Sequence, residues 1–257
     1  MFDVVDFQRR RRGKLGEELY CFERLESTNL TAEKLARNGI AEGTLVIAGT
    51  QTAGRGRKGR VWHSPPGVNL YCSLILRPRA QDLVYLPFLA GLAVVRSLKS
   101  FGLETDLKWP NDVLVNGKKI CGVLIHTSME ENVLRFAVIG CGININETAF
   151  PAELETVATS ILLETGASVS REAVLASFLL EFEKMYETVH DLDWRDFCGL
   201  LEQHSTMLRG CAVQIDQKDT IIEGTTQGLD AYGGLIVETK TGPRAVYAGE
   251  ITACRKK

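Results

Sequence analysis

The chain has 257 residues, 45% of them hydrophobic, a formal net charge of -2 and seven cysteines. Such a length and apolar content can fill one large core with a smaller companion, and the slightly acidic balance argues against a nucleic-acid module. No apolar run approaches the ~20 residues that cross a bilayer, and no apolar stretch follows the charged N-terminus, so a soluble, cytoplasmic chain with no membrane span or signal peptide is expected.

The run Arg9 to Arg12 is followed at once by Gly13 and reads as a solvated end, making residues 1–17 a flexible N-terminus. Residues 18–24 alternate at period two and predict a strand. Ser27-Thr28-Asn29 then offers three N-cap residue types before a helix that Asn38-Gly39 closes. Thr44 to Ala48 and Val68 to Leu76 predict two strands with a glycine-rich loop between them. Leu83, Leu86, Ala90, Ala93, Val94 and Leu98 fall at helical spacing, with Pro87 in the first turn. Three strand-like runs follow, Asp106 to Trp109, Lys118 to Thr127 and Val133 to Ile145, with turns at Asn116-Gly117 and Glu130 to Asn132. Ser170 caps a long helix whose stripe from Leu175 to Val189 reads as core, and a short helix is predicted from Trp194 to Glu202. From about Met207 short strands recur every ten residues or so, the pattern of a small β-barrel. The fold class is therefore α+β: a mixed, mostly antiparallel sheet flanked by helices in residues 1–206, then a barrel in 207–257. Cys21, Cys72, Cys121 and Cys141 sit inside apolar runs and read as buried thiols, with structural zinc and disulfides not expected.

The chemistry concentrates in two places. Between Glu42 and Asp82 there is no acidic residue, and the middle of that gap reads Gly54-Arg55-Gly56-Arg57-Lys58-Gly59-Arg60. Its match to the dinucleotide pattern Gly-x-Gly-x-x-Gly is rejected, because Pro65-Pro66 forbids the helix whose N-terminus would hold the pyrophosphate. A mobile cationic flap for a phosphate-bearing ligand fits better than a solvated basic turn. The second place is Lys108-Trp109-Pro110-Asn111-Asp112, where the proline restricts Trp109 and presents Lys108 from a stiff strand end. A fixed ammonium opposite arginines suits a carboxylate attacking a nucleotide α-phosphate, since both reactants are anions. The acyl-adenylate so formed is destroyed by water, which a closing loop would exclude. Ser27, Thr28 and Asn29 would cap a helix in any case, and Asp112 could serve an Asx-turn as readily as a metal, so the metal ligands stay open. His63, His126, His190 and His204 have no ligand spacing and receive no role.

Ser27-Thr28-Asn29, Gly49 to Arg60 with Trp62, Asn69-Leu70-Tyr71-x-Ser73, Lys108 to Asp112, Lys118-x-x-x-Gly122-x-Leu124 and Gly140-x-Gly142-x-Asn144 together resemble the biotin protein ligase family in order and spacing. The resemblance implies a biotin/lipoate ligase catalytic fold with an SH3-like C-terminal barrel, using biotin, ATP and Mg2+. It further implies that biotin is converted to biotinyl-AMP and passed to a lysine of a biotin carboxyl carrier protein. By the same resemblance Ser27, Thr28, Asn29, Gln51, Arg55, Gly56, Arg57 and Lys108 hold biotin, and Arg57 and Lys108 are catalytic. Arg57, Trp62, Lys108, Asn111 and Asn144 are implied around the nucleotide, with Asp112 a candidate for the metal. His126 stands where the family usually has an acidic residue, so no role is carried to it. Only 17 residues precede the first predicted strand, so a ligase without the family's DNA-binding repressor domain is expected, and pairing of two copies through sheet edges is a further expectation. Lipoate ligation by the same adenylation chemistry is the alternative, and a nucleic-acid module using the cationic loop the reading from another class.

Overall fold

The computed structural model describes residues 2–217 and 220–256. In chain order the elements are α1 (Val4–Arg10), β1 (Leu19–Leu25), α2 (Thr28–Arg37), β2 (Leu45–Gln51), β3 (Leu70–Leu76), α3 (Leu86–Lys99), β4 (Asp106–Lys108), β5 (Asp112–Val115), β6 (Lys118–Glu130) and β7 (Val133–Ile143). They continue with α4 (Ile161–Thr165), α5 (Arg171–Tyr186), α6 (Trp194–Gln203), β8 (Arg209–Asp216), β9 (Ile221–Leu229), β10 (Leu235–Thr239), β11 (Gly242–Val246) and β12 (Glu250–Lys256).

Strands β1 to β7 form one sheet in the order β1-β2-β3-β7-β6-β5-β4. Only β1 and β2 run parallel, because α2 connects them, and every other neighbour is antiparallel. The expected hairpin turns are present: Asn116 and Gly117, then Glu131 and Asn132, take the left-handed backbone that a two-residue turn demands. The second sheet is antiparallel, in the order β11-β10-β9-β8-β12. The mixed α+β architecture expected from the sequence is thus the one found.

The two faces of the large sheet are covered differently. From β2, β3 and β7, the residues Leu45, Ile47, Leu70, Cys72, Leu74, Ile139 and Ile143 point to one face and join the main core with α3 and α5. Val46, Ile75, Phe136 and Val138 point to the other and pack under α2 through Ala32 and Ala36. Further along that second face β6 and β7 carry Gly122, Leu124, Gly140 and Gly142 instead of large side chains. Alternation puts these on the α2 side, so the sheet has a trench there.

Two expectations are corrected. The N-terminus is not a loose, solvated end: α1 packs against α5, with Phe7 fully buried and Phe2 nearly so. Glu172 accepts the Asp3 amide at 2.8 Å and Glu183 the Lys14 amide at 2.6 Å, so two carboxylates of α5 anchor the segment. The arginine count drew attention away from these two aromatic anchors. A disulfide is also present, joining Cys211 of β8 to Cys254 of β12 across 43 residues of sequence. Only the strand register brings this pair together, so spacing could not reveal it. Cys72, Cys121 and Cys141 are buried free thiols, as expected.

Candidate active site

One cavity of about 390 Å³ opens over the glycine trench. Every site residue named from the sequence lines it: Ser27, Thr28, Asn29, Gln51, Arg55, Gly56, Arg57, Trp62, Lys108, Asn111, Asp112 and Asn144.

At one end the start of α2 presents a neutral polar set. Ser27 occupies the N-cap position, but its side chain makes no capping bond. Its Oγ is buried and has no partner among the described residues, which runs against the reading of this serine as a helix cap. A buried hydroxyl without a partner costs about 1–3 kcal/mol, so the oxygen is held in readiness for something else. Thr28 instead donates its backbone N–H to Gln51 Oε1 at 2.9 Å. Asn29 donates to the Leu124 carbonyl at 3.3 Å, and it fits only because residue 140 is glycine, where a Cβ would collide with the Asn29 amide.

At the other end charges gather. The cationic loop is folded back as a small hairpin, with Gly56 N–H donating to Arg60 O at 2.7 Å and Trp62 N–H to Gly54 O at 2.9 Å. Arg57 donates to Asn111 Oδ1 at 3.1 Å, and burial pulls its pKa below the ordinary guanidinium value. Arg60 pairs with Glu250 of β12, so the C-terminal sheet reaches the loop. Its hydrogen bond holds the Glu250 carboxyl below the usual range, helped by the charges of Lys108 and Lys58. Lys108 faces the cavity from the end of β4 and makes no hydrogen bond or salt bridge among the described residues. Asp112 is 2.7 Å from Lys119 Nζ. Asn144 spends its amide on the Thr159 carbonyl at 3.0 Å and so also braces the cavity wall.

Trp62 lies between the two ends. A Cβ at Gly142 would sit 2.5 Å from its ring and one at Gly122 2.8 Å, so these two glycines form its floor. They are cross-strand partners on β6 and β7. Lys119 Nζ lies over the ring at 5.2 Å, a cation–π contact.

Lys119, the paired glycines and Glu250 received no site role from the sequence. Lys119 stands next to Lys118, the position quoted in the motif, and only the strand register shows which of the two lysines faces the trench. The paired glycines had a legible signal, since Gly140-x-Gly142 at period two marks one bare face of a strand. Glu250 lies 190 residues from Arg60 and had none. His63 also lines the cavity, with Nε2 2.9 Å from Glu147, while His126 is exposed and lies 3.4 Å from Glu33.

With this geometry in place the chain can be set beside known proteins. Residues 21–144 match the model of the biotin/lipoate A/B protein ligase family, and residues 210–252 that of the biotin protein ligase C-terminal domain. The chain is 39% identical over 242 residues to the bifunctional ligase/repressor BirA of Bacillus subtilis, spanning 92% of this chain and 74% of that one. It is 32% identical over 241 residues to the biotin–[acetyl-CoA-carboxylase] ligase of Paracoccus denitrificans, spanning 89% and 97%. A solved biotin protein ligase of Aquifex aeolicus in complex with biotin and ATP has the same fold, with a TM-score of 0.77, 29% identity and coverage of 94% of this chain and 100% of that one. A second domain of the biotin type and relatives with biotin-ligase names leave lipoate ligation unfavoured. The trench, the cationic hairpin above it and these matches over nearly the whole chain agree: the chain belongs to the biotin protein ligase family.

Proposed function

We propose that this protein joins the biotin carboxylate to the α-phosphate of ATP, releasing pyrophosphate, and then passes the biotinyl group to a lysine of a biotin carboxyl carrier protein. The observation that carries the reading is the polarity of this cavity: neutral hydrogen-bonding groups with an unpartnered Ser27 Oγ at one end, and Arg57, Lys108 and Lys119 at the other. A neutral polar head enters at the α2 end and its carboxylate is carried toward the cations. There Lys108, with no hydrogen bond or salt bridge among the described residues, meets the carboxylate and the α-phosphate, and Arg57 shares the charge that gathers as they react. Trp62 packs beside the nucleotide over its glycine floor, and Asn111 holds Arg57 in place. The hairpin of residues 54–62 covers the product and keeps water from the mixed anhydride. Support for both ligands comes from the Aquifex relative, whose structure holds biotin and ATP.

Magnesium does not find a prepared cage. Among the described residues no three of His, Cys, Asp and Glu assemble for a metal; Glu250 pairs with Arg60, and Asp112 lies 2.7 Å from Lys119 Nζ, although its Oδ1 accepts no hydrogen bond. We therefore read Asp112 as the partner of Lys119 and derive no step through a protein-bound metal.

The test is to incubate the pure protein with ATP and either biotin or lipoate and to identify the acyl-adenylate by mass. Biotinyl-AMP is expected, and an adenylate from lipoate alone would overturn the reading.

A further inference from the structure

Beneath the cavity, on β3, Ser73 is fully buried and is not among the lining residues. Its Oγ lies 2.6 Å from Asn29 Oδ1 and 2.9 Å from Thr28 Oγ1. A hydroxyl carries one hydrogen, and the surroundings decide where it goes. Asn29 Nδ2 donates to the Leu124 carbonyl, which only accepts, so Oδ1 is the Asn29 atom that faces Ser73. An amide oxygen cannot donate; Ser73 therefore donates to it. The Thr28 hydrogen is then shared between Ser73 Oγ and Gln51 Oε1, the latter at 3.2 Å, and in both cases it stays inside the protein. Thr28 Oγ1 is left as an acceptor. Gln51 is oriented in the same way, since Oε1 takes the Thr28 N–H and Nε2 donates one hydrogen to Ser64 Oγ at 3.2 Å. Among the described residues Asn29 and Gln51 each keep one amide hydrogen without an acceptor.

We propose that Ser73 is a positioning residue that sets the donor and acceptor polarity of this end of the cavity, so that it takes a neutral cyclic urea and rejects a protonated cyclic guanidine of the same shape. The inference rests on the biotin reading above. A urea brings one carbonyl to the amide donors and an N–H to Thr28 Oγ1. A guanidinium brings N–H groups where the site also has N–H groups, and its strong basicity keeps it charged at neutral pH. Without the Ser73 hydrogen the Asn29 amide is held only by its 3.3 Å bond to the Leu124 carbonyl, and that discrimination weakens.

The experiment measures adenylation by the full chain with biotin and with its 2-imino analogue at pH 7. Wild type is expected to favour biotin. In Ser73→Ala the KM for biotin should rise about tenfold, as for one lost hydrogen bond, with the KM for ATP unchanged. The preference for biotin over the imino analogue should shrink toward one, with Ser73→Cys, a weaker donor of similar size, in between. If both KM values rose by the same factor and left the preference at the wild-type ratio, Ser73 would be packing only and the proposal would fall. Should Ser73→Ala not fold, the same comparison is made on Ser73→Cys. A wild type that makes no adenylate from biotin would instead sink the functional reading, so the two failures are distinct.

Discussion

Ser27 separates stability from function at a single oxygen. Because its Oγ is buried without a partner and caps nothing, Ser27→Ala removes an unsatisfied group and no hydrogen bond. The variant should unfold at the wild-type temperature or above, while biotin affinity falls about tenfold; calorimetry and a melting curve read the two effects. A lower melting temperature would mean the oxygen has a partner after all. The two cavity lysines differ in a similar way. Lys108 makes no salt bridge among the described residues, whereas Lys119 lies 2.7 Å from Asp112. Lys119→Met thus removes a cation and also exposes a carboxylate to the incoming phosphates. Adenylation should slow by roughly 100- to 1,000-fold, the scale of one lost charge-stabilising group, and Asp112→Asn in the same chain should restore part of it. A double variant no faster than the single one would remove Asp112 from the account. The names of the site residues were largely legible in the sequence because the chemistry selects residue types. Which member of the Lys118–Lys119 pair faces the cavity was not, since counting by twos from Gly122 picks Lys118, and a bulge in the β5–β6 pairing turns Lys119 inward instead.

At the scale of elements, most strands and helices could be read from periodicity, and those that were missed each lacked a visible one. β5 is four residues long and begins inside the Pro110-Asn111-Asp112 turn, so no period was visible; α1 hid behind a charge run. β12 is recognisable only by its pairing with β8. The trench itself is made by what β6 and β7 lack. A methyl at residue 142 would sit 2.5 Å from the Trp62 ring, and its three nearest atoms all belong to that ring. Gly142→Ala should therefore displace Trp62 and weaken nucleotide binding by about tenfold to a hundredfold, the range for overpacking, with biotin binding largely kept. Separate titrations with biotin and with a non-hydrolysable nucleotide test this. An equal loss for both ligands would show that Trp62 does not belong to the nucleotide end.

The whole molecule joins its two sheets at the site. Trp109, following β4, donates its indole N–H to Gly233 O at 3.2 Å, and Trp194 of α6 donates to Asp230 O at 2.8 Å, so two indoles of the larger unit grip the turn between β9 and β10. A further connection is the pairing of Arg60 with Glu250, and it lies on the strand that the Cys211–Cys254 bond fastens. That bond encloses a loop of 43 residues, and the chain-entropy account gives such a crosslink up to about 4 kcal/mol through the unfolded state. Reduction should then loosen β12 first, because β12 is an edge strand held by β8 alone. Loosening β12 withdraws Glu250 from Arg60, and the hairpin of residues 54–62 loses its tie to the second sheet. Hydrogen exchange with and without a thiol reductant reads this directly: amides of β12 and of the hairpin should speed up together while those of β3 and β7 stay protected. Faster exchange in β12 with an unchanged hairpin would mean that the loop is held by Arg57 and Asn111 alone, and that the C-terminal sheet has no part in closing the site.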